Sequence, residues 1–285
     1  MLRKGSAEEW RLSRRASVSQ GDVAYDIFGS GPPVVLVHGT PSWSYLWRNV
    51  APTLASRFSV YVFDLPGYGY SQAAPDADIS IASHARTLVE LLDQWDLEAP
   101  AIAGHDIGGA VALRAHLLHD CVFRQIALVD AVVFAPWITP TTRHVQAHID
   151  AYRTMPTHIF EVFTATHLRT AVHGVLDEQT LSAYRRPWAG QDGQAAYLQK
   201  VAHFNEGDTI EFEPLLTTVR VPVRIVWGAE DAWLSPALAT RLRDTIPGAD
   251  LVVLPAAGHF AMEDAPEEVA DALFQFFSAG IDGGG

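Results

Sequence analysis

Asp106 sits at the centre of Gly104-His105-Asp106-Ile107-Gly108, with a glycine two residues away on either side. That spacing lets a strand turn sharply into a helix and lift the central side chain above the sheet edge, the geometry of a nucleophile elbow. Elbows usually carry serine, and the carboxylate changes the chemistry. A serine makes acyl-enzymes, whereas an aspartate attacking an ester would give a labile anhydride. An ionised Asp needs no base to attack, and it suits displacement at a saturated carbon. The product of that attack is an alkyl ester, and its hydrolysis calls for a base. His259, in Ala256-Ala257-Gly258-His259-Phe260, follows the last expected strand and precedes the last helix. A loop there lies over the active edge of the sheet and reaches Asp106. The competing use of Asp106, as a plain cap for the following helix, accounts less well for the strand–elbow–helix context.

Two carboxylates compete to orient His259. Asp231 lies on a turn after a strand in Trp227-Gly228-Ala229-Glu230-Asp231, and Asp130 follows the preceding strand of the sheet. The turn gives Asp231 the freer approach, so it is favoured and Asp130 remains the alternative. Glu230 reads as solvated. As water adds to the ester, charge develops on its carbonyl oxygen. The Ile107 N–H opens a helix, where donors are unpaired and the dipole favours negative charge. The Thr40 N–H, after His38-Gly39, is the expected second donor of an oxyanion hole. His38 and Pro41 are expected to shape that loop without touching substrate.

The elements that must position these groups are legible as alternating patterns. Residues 16–28 alternate about Gln20-Gly21 as an opening hairpin, and 33–38 and 59–64 are continuous apolar runs typical of buried strands. Leu88, Leu91, Leu92 and Trp95 fall at helical spacing. Further strands are expected at 99–103, 125–130, 221–227 and 250–254, and a final helix after Asp264, with Pro266 in its first turn and Glu267 completing a capping box. Strands alternating with helices imply an α/β fold with a mostly parallel sheet covered on both faces. Residues 137–218 break the alternation and read as a helical cap inserted after the sixth strand. Such a cap would exclude water and supply most substrate contacts.

Bulk properties narrow the partners. The chain has 285 residues, 48% of them hydrophobic and 19% charged, a globular composition with a sizeable core. A formal charge of −13 argues against sequence-independent binding of nucleic acid. The basic cluster Arg3, Lys4, Arg11, Arg14 and Arg15 precedes no apolar run, so it is not read as a signal peptide. No run reaches membrane-span length, and Cys121 stands alone, so a cytoplasmic protein is expected. The N-terminus and the glycine tail 283–285 are expected to be poorly ordered. His144 and His148 lie four apart, but no third ligand has telling spacing, so no metal is expected.

Taken together, His38-Gly39-Thr40-Pro41, the Asp106 elbow through Gly109, Asp231 and His259 resemble the Asp-nucleophile branch of the α/β-hydrolase superfamily. That branch holds the epoxide hydrolases, haloalkane dehalogenases and fluoroacetate dehalogenases, and the match covers nearly the whole chain outside the cap. It implies an α/β-hydrolase fold: an eight-stranded, mostly parallel sheet in a core of residues 1–136 and 219–285, with a helical cap at 137–218. The order nucleophile, acid, histidine is the superfamily's own. The implied activity is cofactor-free hydrolysis of a small apolar organic substrate, and the oligomeric state is not legible.

Residues 42–49 look like the haloalkane dehalogenases in particular, yet the usual halide donors are replaced by Ile107 and Thr40. The arginine pair of the fluoroacetate dehalogenases is replaced by Ile107 and Ala110, which argues against a haloacid. Trp43, Trp137, Trp188 or a cap histidine is left to donate to a halide. Epoxide hydrolases use two cap tyrosines on the opening ring oxygen, and Tyr152, Tyr184 and Tyr197 are candidates, which places epoxide opening slightly ahead of dehalogenation. A non-hydrolytic receptor, or lyase or cyclase chemistry on the same scaffold, is the alternative of another class. A receptor has no need of Asp106, Asp231 and His259 together. Ester or lactone hydrolysis, with Asp106 as base for water, ranks third.

Overall fold

The computed structural model describes residues 10–74 and 76–282. The basic start at Arg3 and Lys4 and the tail 283–285 lie outside the described residues. Among the described residues nine strands form one sheet: β1 (Arg14–Val18), β2 (Gly21–Phe28), β3 (Pro33–Val37), β4 (Ser59–Phe63), β5 (Gln72–Ala73), β6 (Ala101–Asp106), β7 (Gln125–Ala131), β8 (Val223–Gly228) and β9 (Asp250–Leu254). The spatial order is β1-β2-β4-β3-β6-β7-β8-β9, with β5 paired to β2. Pairing is parallel from β4 through β9 and antiparallel where β2 meets β1, β4 and β5.

The sequence gives eight strands, and the ninth is β5, whose two residues pair with Gly21 and Asp22. Two residues carry no periodicity, so nothing in the pattern marks them. Gly21 makes the pairing possible: its φ is +138°, and a Cβ there would come within 2.1 Å of the Gln72 carbonyl oxygen. In consequence the helical insertion follows the seventh strand of the chain, not the sixth.

Central strands show unbroken apolar runs because both faces are covered. In β3, Val35 and Val37 enter one core, while Val34 and Leu36 enter the other. The first core packs against the helices Ile81–Gln94 and Ile107–Leu118 through Leu88, Leu91, Val111 and Leu113. The second packs against Pro266–Asp282 through Leu273 and Phe277. Ser80 caps the first of these helices by accepting the Ser83 N–H. Asp264 ends the short helix Ala261–Asp264, and its carboxylate accepts the N–H groups of Gly258, His173 and Gly174. It thereby ties the His259 loop to the insertion.

Between β7 and β8 the chain leaves the sheet to form the helices Pro140–Ala147, Ile149–Arg153, Thr157–Arg169, Glu178–Arg185, Gly190–His203 and Gly207–Ile210. Thr139 and Asp177 cap two of them by accepting N–H groups of their first turns. Among the described residues no helix is long and apolar enough to cross a membrane.

Candidate active site

Asp106 ends β6 in a conformation that L-residues rarely adopt, φ +53° and ψ −124°. The glycines around it allow that turn. A Cβ at Gly104 would lie 2.3 Å from the Gly108 carbonyl oxygen, and one at Gly108 2.5 Å from that of Val37. Gly39 passes so close that a Cβ would meet the Asp106 Cβ at 2.3 Å. That approach delivers the Thr40 N–H to Asp106 Oδ1 at 2.7 Å. Ile107 begins the helix directly behind the carboxylate.

The second carboxylate oxygen faces His259. His259 Nε2 lies 3.4 Å from Asp106 Oδ2 without an aligned hydrogen bond, and His259 Nδ1 lies 2.9 Å from Asp231 Oδ2. Asp231 is itself fixed, its Oδ1 accepting the N–H groups of Trp233 and Leu234 at 2.8 and 2.9 Å. In the neutral imidazole, Nδ1–H donates to Asp231 and Nε2 keeps its lone pair toward Asp106. Burial disfavours the imidazolium, yet the charges of Asp231 and Asp106 outweigh it and hold the His259 pKa well above its usual value. Burial likewise opposes ionisation of Asp106, but His259 and the Thr40 N–H bring its pKa below the ordinary carboxylate value.

Asp130, the alternative acid, does not bond to the imidazole in this arrangement. Its Oδ1 accepts the Gly228 N–H at 2.8 Å, which closes the turn toward Asp231. Burial, and then the neighbouring Asp231 charge, push its pKa well above the usual value. His38 is held by two backbone groups: Nδ1 donates to the Gly39 carbonyl at 2.8 Å and Nε2 accepts the Leu65 N–H at 2.9 Å. It shapes the loop as expected from sequence. Pro41 departs from that expectation, because it lines the cavity above Asp106.

That cavity measures about 40 Å³, room for a few water-sized groups. Of the aromatic candidates, Trp137 and Tyr197 line it. The Trp137 Nε1–H is buried without a hydrogen-bond partner, and no described residue bonds to the Tyr197 hydroxyl. Trp43, Tyr184 and Tyr152 do not line it. Trp43 donates to the Ala183 carbonyl and Tyr184 to Glu263, which also pairs with Arg48. Tyr152 packs on Phe163 and His144. Trp188 lines the cavity, but its N–H is spent on the Pro41 carbonyl at 2.8 Å. His144 and His148 stand 4.6 Å apart between ring centroids, and no group of three or more His, Cys, Asp or Glu that could hold a metal occurs among the described residues.

Four residues of the site were not singled out by sequence reasoning. His105 Nε2 donates to the His259 main-chain carbonyl at 2.9 Å, and burial keeps the ring neutral, with a pKa lowered to about 3. Its place beside Asp106 was the available signal. His167 lines the cavity and stacks on Trp233 at 4.4 Å, and Trp233 stacks on His259 at 4.9 Å. Lys200 lines it from the helix Gly190–His203, one turn after Tyr197 and next to Val201. That i, i+3, i+4 spacing was legible, and it puts a lysine on an inward face.

Comparison with known proteins accords with this geometry. A family model described as alpha/beta hydrolase fold matches residues 32–266. Haloalkane dehalogenase 2 of Mycobacterium tuberculosis is 28% identical over 93% of this chain and 94% of its own. An alpha/beta hydrolase fold protein from Burkholderia ambifaria superposes with a TM-score of 0.90 at 37% identity, covering 93% of this chain and 98% of that one. The epoxide hydrolase CorEH superposes with a TM-score of 0.75 at 24% identity, covering 93% and 98%, a likeness of fold alone. With the family model spanning most of its length, the chain belongs to the alpha/beta hydrolase fold family.

Proposed function

We propose that this protein hydrolyses small substrates by displacement at carbon, with Asp106 as nucleophile, His259 as base and Asp231 as the acid that steadies the imidazolium. One observation carries the reading: the two oxygens of Asp106 have different partners, Thr40 N–H on Oδ1 and His259 Nε2 beyond Oδ2. Oδ2 attacks carbon and the leaving group departs with its electron pair. Oδ1 becomes the ester carbonyl oxygen. A water that gives its proton to His259 Nε2 then adds to Cγ, and charge grows on Oδ1 where the Thr40 and Ile107 N–H groups receive it. Collapse expels the product alkoxide, which takes up a proton, and regenerates Asp106. Alkylation removes the Asp106 charge, which relaxes the hold on the His259 proton just when a base is needed. The helices within 137–218 serve as the cap over a core of 1–136 and 219–285, and exclude water from the cavity.

A halide is the leaving group this cavity suits best. Ring opening of an epoxide calls for two hydroxyl donors, and only Tyr197 of the three tyrosine candidates lines the cavity. A halide leaves without a proton and needs N–H or O–H donors, which Trp137 and Tyr197 offer. The similarity to a haloalkane dehalogenase supports the same choice. Epoxide opening is the second reading, favoured by the Tyr197 hydroxyl, which burial keeps protonated.

The test is mass spectrometry of His259→Gln after incubation with 1-bromobutane or 1,2-epoxybutane. A butyl ester on the peptide bearing Asp106 is expected from the bromide. An adduct retaining the epoxide oxygen would favour the second reading, and no adduct from either, nor from 4-bromobutanoate run in parallel, would remove Asp106 as nucleophile.

A further inference from the structure

Lys200 is 98% buried, its relative exposure being 2%, and its side chain lines the same cavity as Asp106. Its Nζ donates to the Ala196 carbonyl at 3.2 Å, a bond within its own helix. Two ring faces attend the charge, Tyr68 at 5.1 Å and Trp188 at 5.4 Å from Nζ. Gly67 leaves room for the ammonium, since a Cβ there would stand 2.8 Å from Nζ. No described carboxylate pairs with it within 4.0 Å. A buried ammonium without a counter-anion is costly, and ring faces and one carbonyl offset only part of that cost.

Such a group is stabilised when a ligand brings the missing charge. We propose that Lys200 is an anion-binding residue of the cavity, and that the substrates are small monocarboxylates whose carboxylate pairs with its ammonium while Asp106 attacks another carbon. This rests on the displacement reading above and names its substrate class. The sequence argued against an acid substrate because no arginine accompanies the elbow; the cation comes instead from the helix Gly190–His203. Burial lowers the Lys200 pKa to about 8, so the ammonium form prevails at neutral pH and gains from a counter-ion. The Tyr68 hydroxyl donates to Thr40 Oγ1 at 3.2 Å, so the aromatic wall under the ammonium is tied to the loop that holds Asp106.

Butanoate and butanamide, of similar shape and different charge, test the proposal as binding probes by calorimetry at neutral pH. Wild-type protein is expected to bind butanoate about ten-fold more tightly, or better, than butanamide. Lys200→Met should erase that gap while leaving butanamide affinity within a factor of about two. Lys200→Gln, checked by thermal melting, provides the same readout should the methionine variant fail to fold. Equal affinity for the two probes in the wild type, or a gap that persists without Lys200, overturns the proposal. The measurement reads binding alone. A Lys200-dependent gap with no ester on Asp106 would leave the anion site standing and remove the displacement chemistry, and an ester without the gap would do the reverse.

Discussion

His105 Nε2 donates to the main-chain carbonyl of His259 across 2.9 Å, so the residue before the candidate nucleophile holds the loop that carries the candidate base. The two rings also pack at 4.9 Å between centroids. One strand end thus sets both partners of the 3.4 Å approach between Asp106 and His259. His105→Phe keeps an aromatic ring and deletes the donor. The buried carbonyl is left unsatisfied, at a cost of about 1–3 kcal/mol, measurable by urea unfolding. A shifted base should lower kcat by about ten- to a hundred-fold with KM little changed. Unaltered kcat would show that the loop is held without this bond.

Asp130 and Asp231 separate by substitution. Asp231→Asn presents an amide to His259 Nδ1 and favours the wrong tautomer, and turnover should fall about a thousand-fold or more. Asp130→Asn replaces a carboxyl whose proton is favoured by burial and by the Asp231 charge. An acid with a raised folded-state pKa contributes stability below its unfolded value and loses it as pH rises through the folded one. At pH 7–8 the asparagine variant should therefore melt no lower than wild type and retain most of its turnover. A collapse of activity in Asp130→Asn, with Asp231→Asn still active, would reverse the two roles.

Acid sensitivity follows from histidines folded in the neutral state. Burial lowers His84 to about 3, and neither of its ring nitrogens has a hydrogen-bond partner. His105 is also lowered to about 3, and His38 and His167 to about 4. Below pH 6.5 the unfolded chain binds protons that these buried rings refuse, so stability falls as pH drops from there toward the folded values. His259, raised by its anionic neighbours, works in the opposite sense above pH 6.5. His84→Phe removes one such group at an apolar edge beside Tyr68. Its Tm should fall less than that of wild type between pH 7 and pH 5, and parallel curves would contradict this assignment.

The parts of this molecule legible in the sequence are those where one residue type has one use. A glycine two residues on each side of Asp106 marks the elbow because any Cβ there collides with backbone. Asp231 and His259 follow strands whose apolar runs mark where the loops begin. Within the helical insertion the same clarity is missing. Tyr184 and Tyr197 are both buried aromatics on helices, yet one is spent on Glu263 and the other faces the cavity, a difference set by tertiary packing. Lys200 was hidden by its type, since a lysine on a helix is ordinarily a solvated residue.

The leaving-group donors can be told apart by single deletions. Trp137→Phe keeps an aromatic ring, though a smaller one, and removes the N–H that has no protein partner, while Tyr197→Phe removes one hydroxyl. If a halide leaves, it draws on N–H and O–H donors alike, and kcat for 1-bromobutane should fall about ten- to a hundred-fold in Trp137→Phe, with a smaller loss in Tyr197→Phe. Epoxide opening depends on a proton donor to a strongly basic alkoxide, so it should collapse in Tyr197→Phe and tolerate Trp137→Phe. Burst kinetics locate the defect, because either donor acts before the ester forms: loss of the burst with unchanged ester hydrolysis is the expected signature. A slower second step would instead place these residues in the hydrolytic half-reaction proposed for His259.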